Sequence, residues 1–114
     1  MSRDERLYID DMLEACLHIA SFVAVTDAAR FETDRLFQAA IERELFILGE
    51  AAKHVSPETR ALHPQVPWKQ TAGLRDVLGH DYFGLDNAAI WRIATVNVPV
   101  IVAQLRAIVD HDGC

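Results

Sequence analysis

Arg75 and His80 are the residues of this chain whose types and spacing best suit a chemical step. They stand in the run Arg75-Asp76-Val77-Leu78-Gly79-His80-Asp81-Tyr82. Arginine carries a planar fork of donors that grips a phosphate with two parallel hydrogen bonds. Histidine titrates near neutral pH, so it can take a proton and return it. A phosphate held by the first and a 2′-hydroxyl deprotonated by the second would cleave RNA, with no metal required. Spacing sets a condition, because side chains five residues apart on an unbroken helix diverge by about 140°. Gly79 offers a way to meet it. A helix that stops there lets the chain fold back and bring His80 beside Arg75. A plainer arrangement uses the same residues, with Arg75 paired to Asp76 and His80 as a cap. Spacing alone leaves both open.

Other chemistries find less to work with. Of five histidines, His18 and His54 each follow a glutamate, Glu14 and Glu50, by four residues. A di-metal carboxylate bundle needs a spacing of three on two helices, so these pairs read as contacts on a solvated helix face. No Gly-rich phosphate loop, nucleophile elbow or Cys-x-x-Cys occurs, and neither a metal nor a cofactor is expected. Eleven Lys and Arg against seventeen Asp and Glu give a formal charge of −6. That disfavours a charge-driven nucleic-acid coat and leaves room for a local basic site. Cys16 and Cys114 make no disulfide framework and read as reduced thiols. The start, Met1-Ser2-Arg3-Asp4-Glu5-Arg6, does not resemble a signal peptide. The longest apolar run, Val98 to Ala103, contains Pro99 and falls short of the ~18 residues of a membrane span. A cytoplasmic protein without a membrane partner is expected.

The elements that must position Arg75 and His80 are helical. Tyr8, Met12, Cys16, Ile19 and Val23 recur at spacings of three and four, which predicts a helix from about Asp4 to Val25. Thr26 and Asp27 end it or cap the next element. Phe37, Ile41, Leu45, Leu48, Ala52 and Val55 predict a second helix from about Thr33 to Val55. Ser56-Pro57-Glu58 is a helix start, with Ser as cap and Pro in the first position, and predicts a short helix to about Leu62. Pro64 and Pro67 interrupt the chain. A third long helix is expected from Pro67 and Trp68 to Leu78, with Gly79 as its stop. Asp86 or Asn87 caps the last helix, which carries Ile90, Ile93, Val96, Val100, Ala103 and Ile108 and which Pro99 should kink or split. The 114 residues suit a single all-α domain over 1–114, an antiparallel bundle of four long helices plus a short one.

The stretch from Gly73 to Asp86 closely resembles the signature of the HepT-like HEPN proteins, whose pattern of Arg, four residues, His, one residue and Tyr fits Arg75, His80 and Tyr82 without a gap. Ile47-Leu48-Gly49-Glu50-Ala51-Ala52-Lys53 resembles the family's second helix. The Pro67-Trp68 and Ile90-Trp91 starts also match, so the resemblance covers nearly the whole chain. It implies a helical bundle that dimerises. It also implies a metal-independent endoribonuclease acting as the toxin of a type VII-like toxin–antitoxin pair. Arg75 and His80 carry over as the catalytic pair, and two subunits are expected to line one cleft with them. Tyr82 carries over as the target of a cognate MntA-type nucleotidyltransferase antitoxin, which transfers AMP to its hydroxyl. The added charge and bulk two residues from His80 would block RNA.

Many HEPN ribonucleases carry a polar residue, often Asn, after the Arg; this chain has Asp76, which orients Arg75 or His80 or pairs with solvent. Asp81 adds a second anion. Those two anions support an alternative, a catalytically silent helical dimer that serves as binding partner and substrate-presenting module for a minimal nucleotidyltransferase. Arg30, Arg35, Arg43 and Lys53 lie on helices that could flank an RNA cleft. Trp68 and Trp91 are expected in the core or at a dimer interface, Phe83 as a loop anchor, Cys16 in the core and His63 exposed. Glu50 reads as a surface acid or a buried partner for Arg75.

Overall fold

Every long helix for which a cap is resolved begins at a residue able to satisfy the free amide groups of a first turn. In the computed structural model, which describes the backbone of residues 1–80 and 86–112 and their side chains apart from 75–80, Ser2 caps α1 (Arg3–Val23) by accepting the Glu5 N–H. Asp27 caps α2 (Ala28–Thr33) and Asp34 caps α3 (Arg35–Lys53). Ser56 caps α4 (Pro57–Leu62), with Pro57 in the first turn where its missing N–H costs nothing. Then come α5 (Trp68–His80) and α6 (Asn87–Arg92), the latter capped by Asp86 through the Ala89 N–H at 2.7 Å. A π-helical turn (Ile93–Asn97) leads without a break into α7 (Val98–Asp112).

The all-α bundle with four long helical stretches is the one the sequence predicts. Its details differ at three places. The second helix does not begin at Thr33: the chain first makes the short α2, and Asp34 ends that helix and starts the next. The third does not stop at Leu78, since α5 continues through Gly79 to His80. Pro99 splits the last helix through a widened turn. Proline has no N–H, and its ring crowds the carbonyl four residues back. The helix adapts by sending the Val98 N–H to the Ile93 carbonyl, five residues back, so that α7 restarts with Pro99 in its first turn.

The core lies where α1, α3 and the α6–α7 stretch meet. Ile9, Met12, Cys16 and Ile19 from α1 are buried against Ile41, Leu45, Leu48 and Ala52 from α3 and Ile90, Val98, Ile101, Leu105 and Ile108 from the last stretch. Tyr8, Val23 and Phe37, predicted for the apolar stripes, are only partly buried at its edge. Helix α3 is central, with α1 on one side and α5 on the other, and α7 packs on α1. Directions follow from polar contacts. The Ser56 N–H and the Thr59 hydroxyl both donate to the Glu5 carboxylate, and Arg6 meets Asp112 at 2.7 Å. The start of α1 therefore adjoins the ends of α3 and α7, and both run antiparallel to it.

The expectation that no segment has the length and apolarity of a membrane span is corrected. Asn87–Asp112 is 26 residues of continuous helix, and its most apolar 18-residue window has a mean hydropathy of 1.5, enough by length and composition to cross a bilayer. Pro99 interrupts the apolar run but not the helix. The inner face of this stretch forms part of the core.

Candidate active site

Helix α5 carries the Arg-x4-His segment, and two local features hold its beginning. Trp68 is buried and its indole N–H donates to the His63 carbonyl at 2.8 Å. Thr71 is also buried, its hydroxyl satisfied by the Pro67 carbonyl at 2.7 Å. Trp68 and Thr71 are three residues apart and share a stripe, and position 75 continues it four residues later. Trp68 thus serves the core, as predicted, and His63 is half-buried rather than exposed.

Arg75, Asp76 and His80 belong to α5 by backbone, while their side chains lie outside the described residues; Asp81, Tyr82 and Phe83 lie outside them altogether. The helix stop expected at Gly79 does not occur there, because the helix runs through that glycine. On one continuous helix their positions diverge by about 140°. A single α5 therefore presents the two positions in different directions.

Helix α5 packs along α3. Helix α6 lies at the end of the bundle where α3 begins, as shown by α2 packing on α6 and by the Phe31 and Trp91 rings, 5.3 Å apart. This sorts the basic residues that sequence could not place. Arg30 in α2 and Arg35 at the first position of α3 lie at the end of the bundle where α3 begins. Exposed Arg92, at the end of α6, joins them one and a half turns further along; no motif or spacing in the sequence singles it out. Lys53 closes α3 at the opposite end, and Arg43 lies midway. Helix ends, once oriented, are the signal that separates these cations.

The glutamate–histidine pairs behave as helix-face contacts. His54 Nε2 lies 3.4 Å from Glu50 Oε1, and the His54 ring stacks on Tyr8 with centroids 5.0 Å apart. His18 lies between two carboxylates, Nδ1 at 3.2 Å from Glu44 and Nε2 at 3.9 Å from Glu14. Its two nitrogens face different acids, an arrangement suited to hydrogen bonding rather than to a shared metal. Among the described residues no group of three or more His, Cys, Asp or Glu is placed to hold a metal ion. Glu50 is half-exposed, with one oxygen at His54 and the other buried. Cys16 is buried in the core, and desolvation pushes its thiol up to about 12, far from a reactive thiolate.

An all-helical bundle whose third long helix ends in Arg-x4-His defines a protein of the HEPN class. The chain belongs to the ribonuclease HepT-like family, whose pattern matches residues 12–108 and so spans the core helices and the whole of α5. Among its relatives, “Probable ribonuclease HepT” of Thermococcus cleftensis is 35% identical over 106 residues, covering 93% of this chain and 96% of that protein. “Putative RNase MJ0127” of Methanocaldococcus jannaschii is 36% identical over 112 residues, 97% of this chain and 93% of the relative. A second protein of that organism, “Putative RNase MJ1380”, is 33% identical over 106 residues, 93% of this chain and 97% of the relative. No solved structure matches the chain significantly.

Proposed function

We propose that this chain is a metal-independent endoribonuclease, the toxin of a toxin–antitoxin pair, working in the cytoplasm as a homodimer. The observation that carries the reading is the HepT-like match across residues 12–108, which contains Arg75, His80 and Tyr82 in the family's spacing. Arg75 holds the non-bridging oxygens of the scissile phosphate. His80 takes the proton of the adjacent 2′-hydroxyl, whose oxygen attacks phosphorus. The bond from phosphorus to the 5′-oxygen breaks, that oxygen receives a proton, and a 2′,3′-cyclic phosphate and a 5′-hydroxyl result. The nucleophile belongs to the RNA, so the protein supplies a cation and a proton carrier.

Dimerisation addresses the geometric condition set by α5. One helix directs positions 75 and 80 apart, so a cleft between two α5 ends is the simplest way for Arg75 of one copy to face His80 of the other. Arg30, Arg35 and Arg92 would supply local positive charge to a protein that is acidic as a whole. Asp76 is a candidate to orient Arg75. A cognate nucleotidyltransferase of the MntA type would silence the site by adenylylating Tyr82.

The test is cleavage of RNA in EDTA by protein purified without an antitoxin, comparing wild type, His80→Ala and Tyr82→Phe, with an intact mass for each. Wild type should cut, and His80→Ala should lose about 10²–10⁴-fold in rate, the range of a general acid–base group. A wild type that is inert but heavier by whole AMP units is the neutralised form, and Tyr82→Phe should then be active. An unmodified, inert wild type would overturn the nuclease reading. It would favour the silent dimer that presents substrate to a nucleotidyltransferase, which Asp76 and Asp81 beside the motif would suit.

A further inference from the structure

An open cavity of about 510 Å³ lies at the foot of the bundle, between the start of α1, α4 and the end of α7. That is the size of a small-molecule site and far more than one water or ion occupies. Ile108, 2% exposed, is at its base, and Leu62, 75% exposed, stands at its rim. Each of the three helices contributes a carboxylate: Glu5, Glu58 and Asp112. Two of them are already engaged. Glu5 accepts from the Ser56 N–H and the Thr59 hydroxyl, and Asp112 shares Arg6 with Asp10. Glu58 is exposed, and His63 and His111 line the same space; no described residue bonds to these three side chains. Helix α7 ends here, so its carbonyl end adds negative potential. Two cations partly offset it: Arg6, held by its two aspartates, and the Met1 amino group, whose charge favours the Glu5 carboxylate.

We infer that this cavity binds an aliphatic polyamine, a flexible chain whose ammonium groups are separated by methylenes. The lining selects that class by elimination. A phosphate or other anion would face three carboxylates and a helix C-terminus, all repulsive. A metal ion needs several ligands at one point, and among the described residues no three His, Cys, Asp or Glu converge in that way. A neutral apolar ligand would strip water from Glu58, His63 and His111 and give their polar atoms nothing in return. A polyamine meets each demand. One ammonium pairs with Glu58 on α4, and another reaches Asp112 on α7. Each neutral imidazole, from His63 and from His111, offers one acceptor nitrogen to the remaining N–H groups. The methylenes cover Ile108 and Leu62, an apolar contact that a hydrated inorganic cation cannot make.

The cavity shares no residue with the Arg-x4-His segment, so the test is binding and is independent of RNA cleavage. The full-length chain is titrated with putrescine and with spermidine by calorimetry at physiological salt, which screens loose surface attraction. Both should bind saturably at one site per chain, spermidine more tightly. Proton NMR locates the site. The imidazole signals of His63 and His111 should move with spermidine, while those of His18, which lies between Glu14 and Glu44, stay in place. Glu58→Gln should weaken binding at least tenfold and Leu62→Ser severalfold, with the circular dichroism and Tm of wild type. Glu32→Gln, which removes the same charge from an exposed position on α2, should bind as wild type does. Magnesium ion at matched charge concentration should not displace spermidine. Absence of saturable binding overturns the inference. So does an equal loss in Glu58→Gln and Glu32→Gln, a shift of His18 as large as that of His63, or displacement by magnesium. Each of these would mean attraction to the negative charge of the chain as a whole.

Discussion

Helix α3 and the α6–α7 stretch contribute comparably to the core, yet their outer faces differ in chemistry. Helix α3 buries Ile41, Leu45, Leu48 and Ala52 and turns Arg35, Arg43 and Lys53 toward solvent, with Leu36 and Phe46 as isolated apolar residues among them. The last stretch buries an equivalent set and presents valine and alanine outward. The first pattern is that of a helix whose obligations end at its own core. The second leaves Val96 and Val100 exposed beside Arg92, Asn97 and Arg106. Amphipathicity therefore reports how many surfaces a helix must satisfy.

The sharpest way to break the comparison is at the inner faces. Leu45 and Leu105 are both fully buried. Leu45→Ala and Leu105→Ala should each cost about 2–5 kcal/mol in denaturant unfolding, the range for removing most of a buried leucine side chain. Similar losses would show that the helices serve the core equally and differ only outside. A loss under about 1 kcal/mol for Leu105→Ala, well below that range, would mean that α7 is peripheral, and the comparison would fail.

The same contrast explains what was legible in the sequence. Amphipathic α1 and α3 announce themselves by period. Ser56-Pro57 and Asp86 announce helix starts, because capping is a local transaction between one side chain and the next turn. Helix α2 escaped because six residues hold too few apolar positions to show a period; buried Phe31 is its only anchor. Gly79 looked like a stop, but glycine permits a left-handed turn without imposing one. Pro99 marked where the last helix must adapt, and the form of the adaptation depended on keeping Ala94 and Val98 both in the core. At the site, residue types and spacing were readable. Which end of the bundle each cation occupies depended on the directions of the helices, a property of the assembled bundle.

The foot of the bundle, where α1, α3 and α7 converge, offers a smaller test of whether polar contacts hold the two kinds of helix together. Partial desolvation pushes the Glu5 carboxyl up, but hydrogen bonds from Thr59 and Ser56 outweigh it and hold its pKa below the ordinary value of 4.5. The sign follows from that direction. A carboxylate whose folded pKa is depressed stabilises the fold above its unfolded pKa, and the contribution fades as pH falls through the folded value. Glu5→Gln should cost about 1 kcal/mol at neutral pH, discounted for the solvent exposure of the group. The difference in Tm between the two proteins should shrink as the pH drops below 4.5. A difference independent of pH would mean that the contact acts by shape rather than by charge.

The smallest effect concerns the helix that carries the motif. Gly73 lies inside α5, two residues before Arg75, and a Cβ built there meets nothing within 4 Å. Glycine in a helix interior costs about 0.5–1 kcal/mol relative to alanine, mostly through the freedom it retains when unfolded. Gly73→Ala should therefore raise stability by that amount. Its value lies in the pairing with activity. If positions 75 and 80 act from a continuous helix, stiffening the turn before them leaves RNA cleavage unchanged while Tm rises. If cleavage falls as Tm rises, α5 must bend at Gly73 to bring the two groups to one phosphate, and a cleft between two straight helix ends would no longer account for the site.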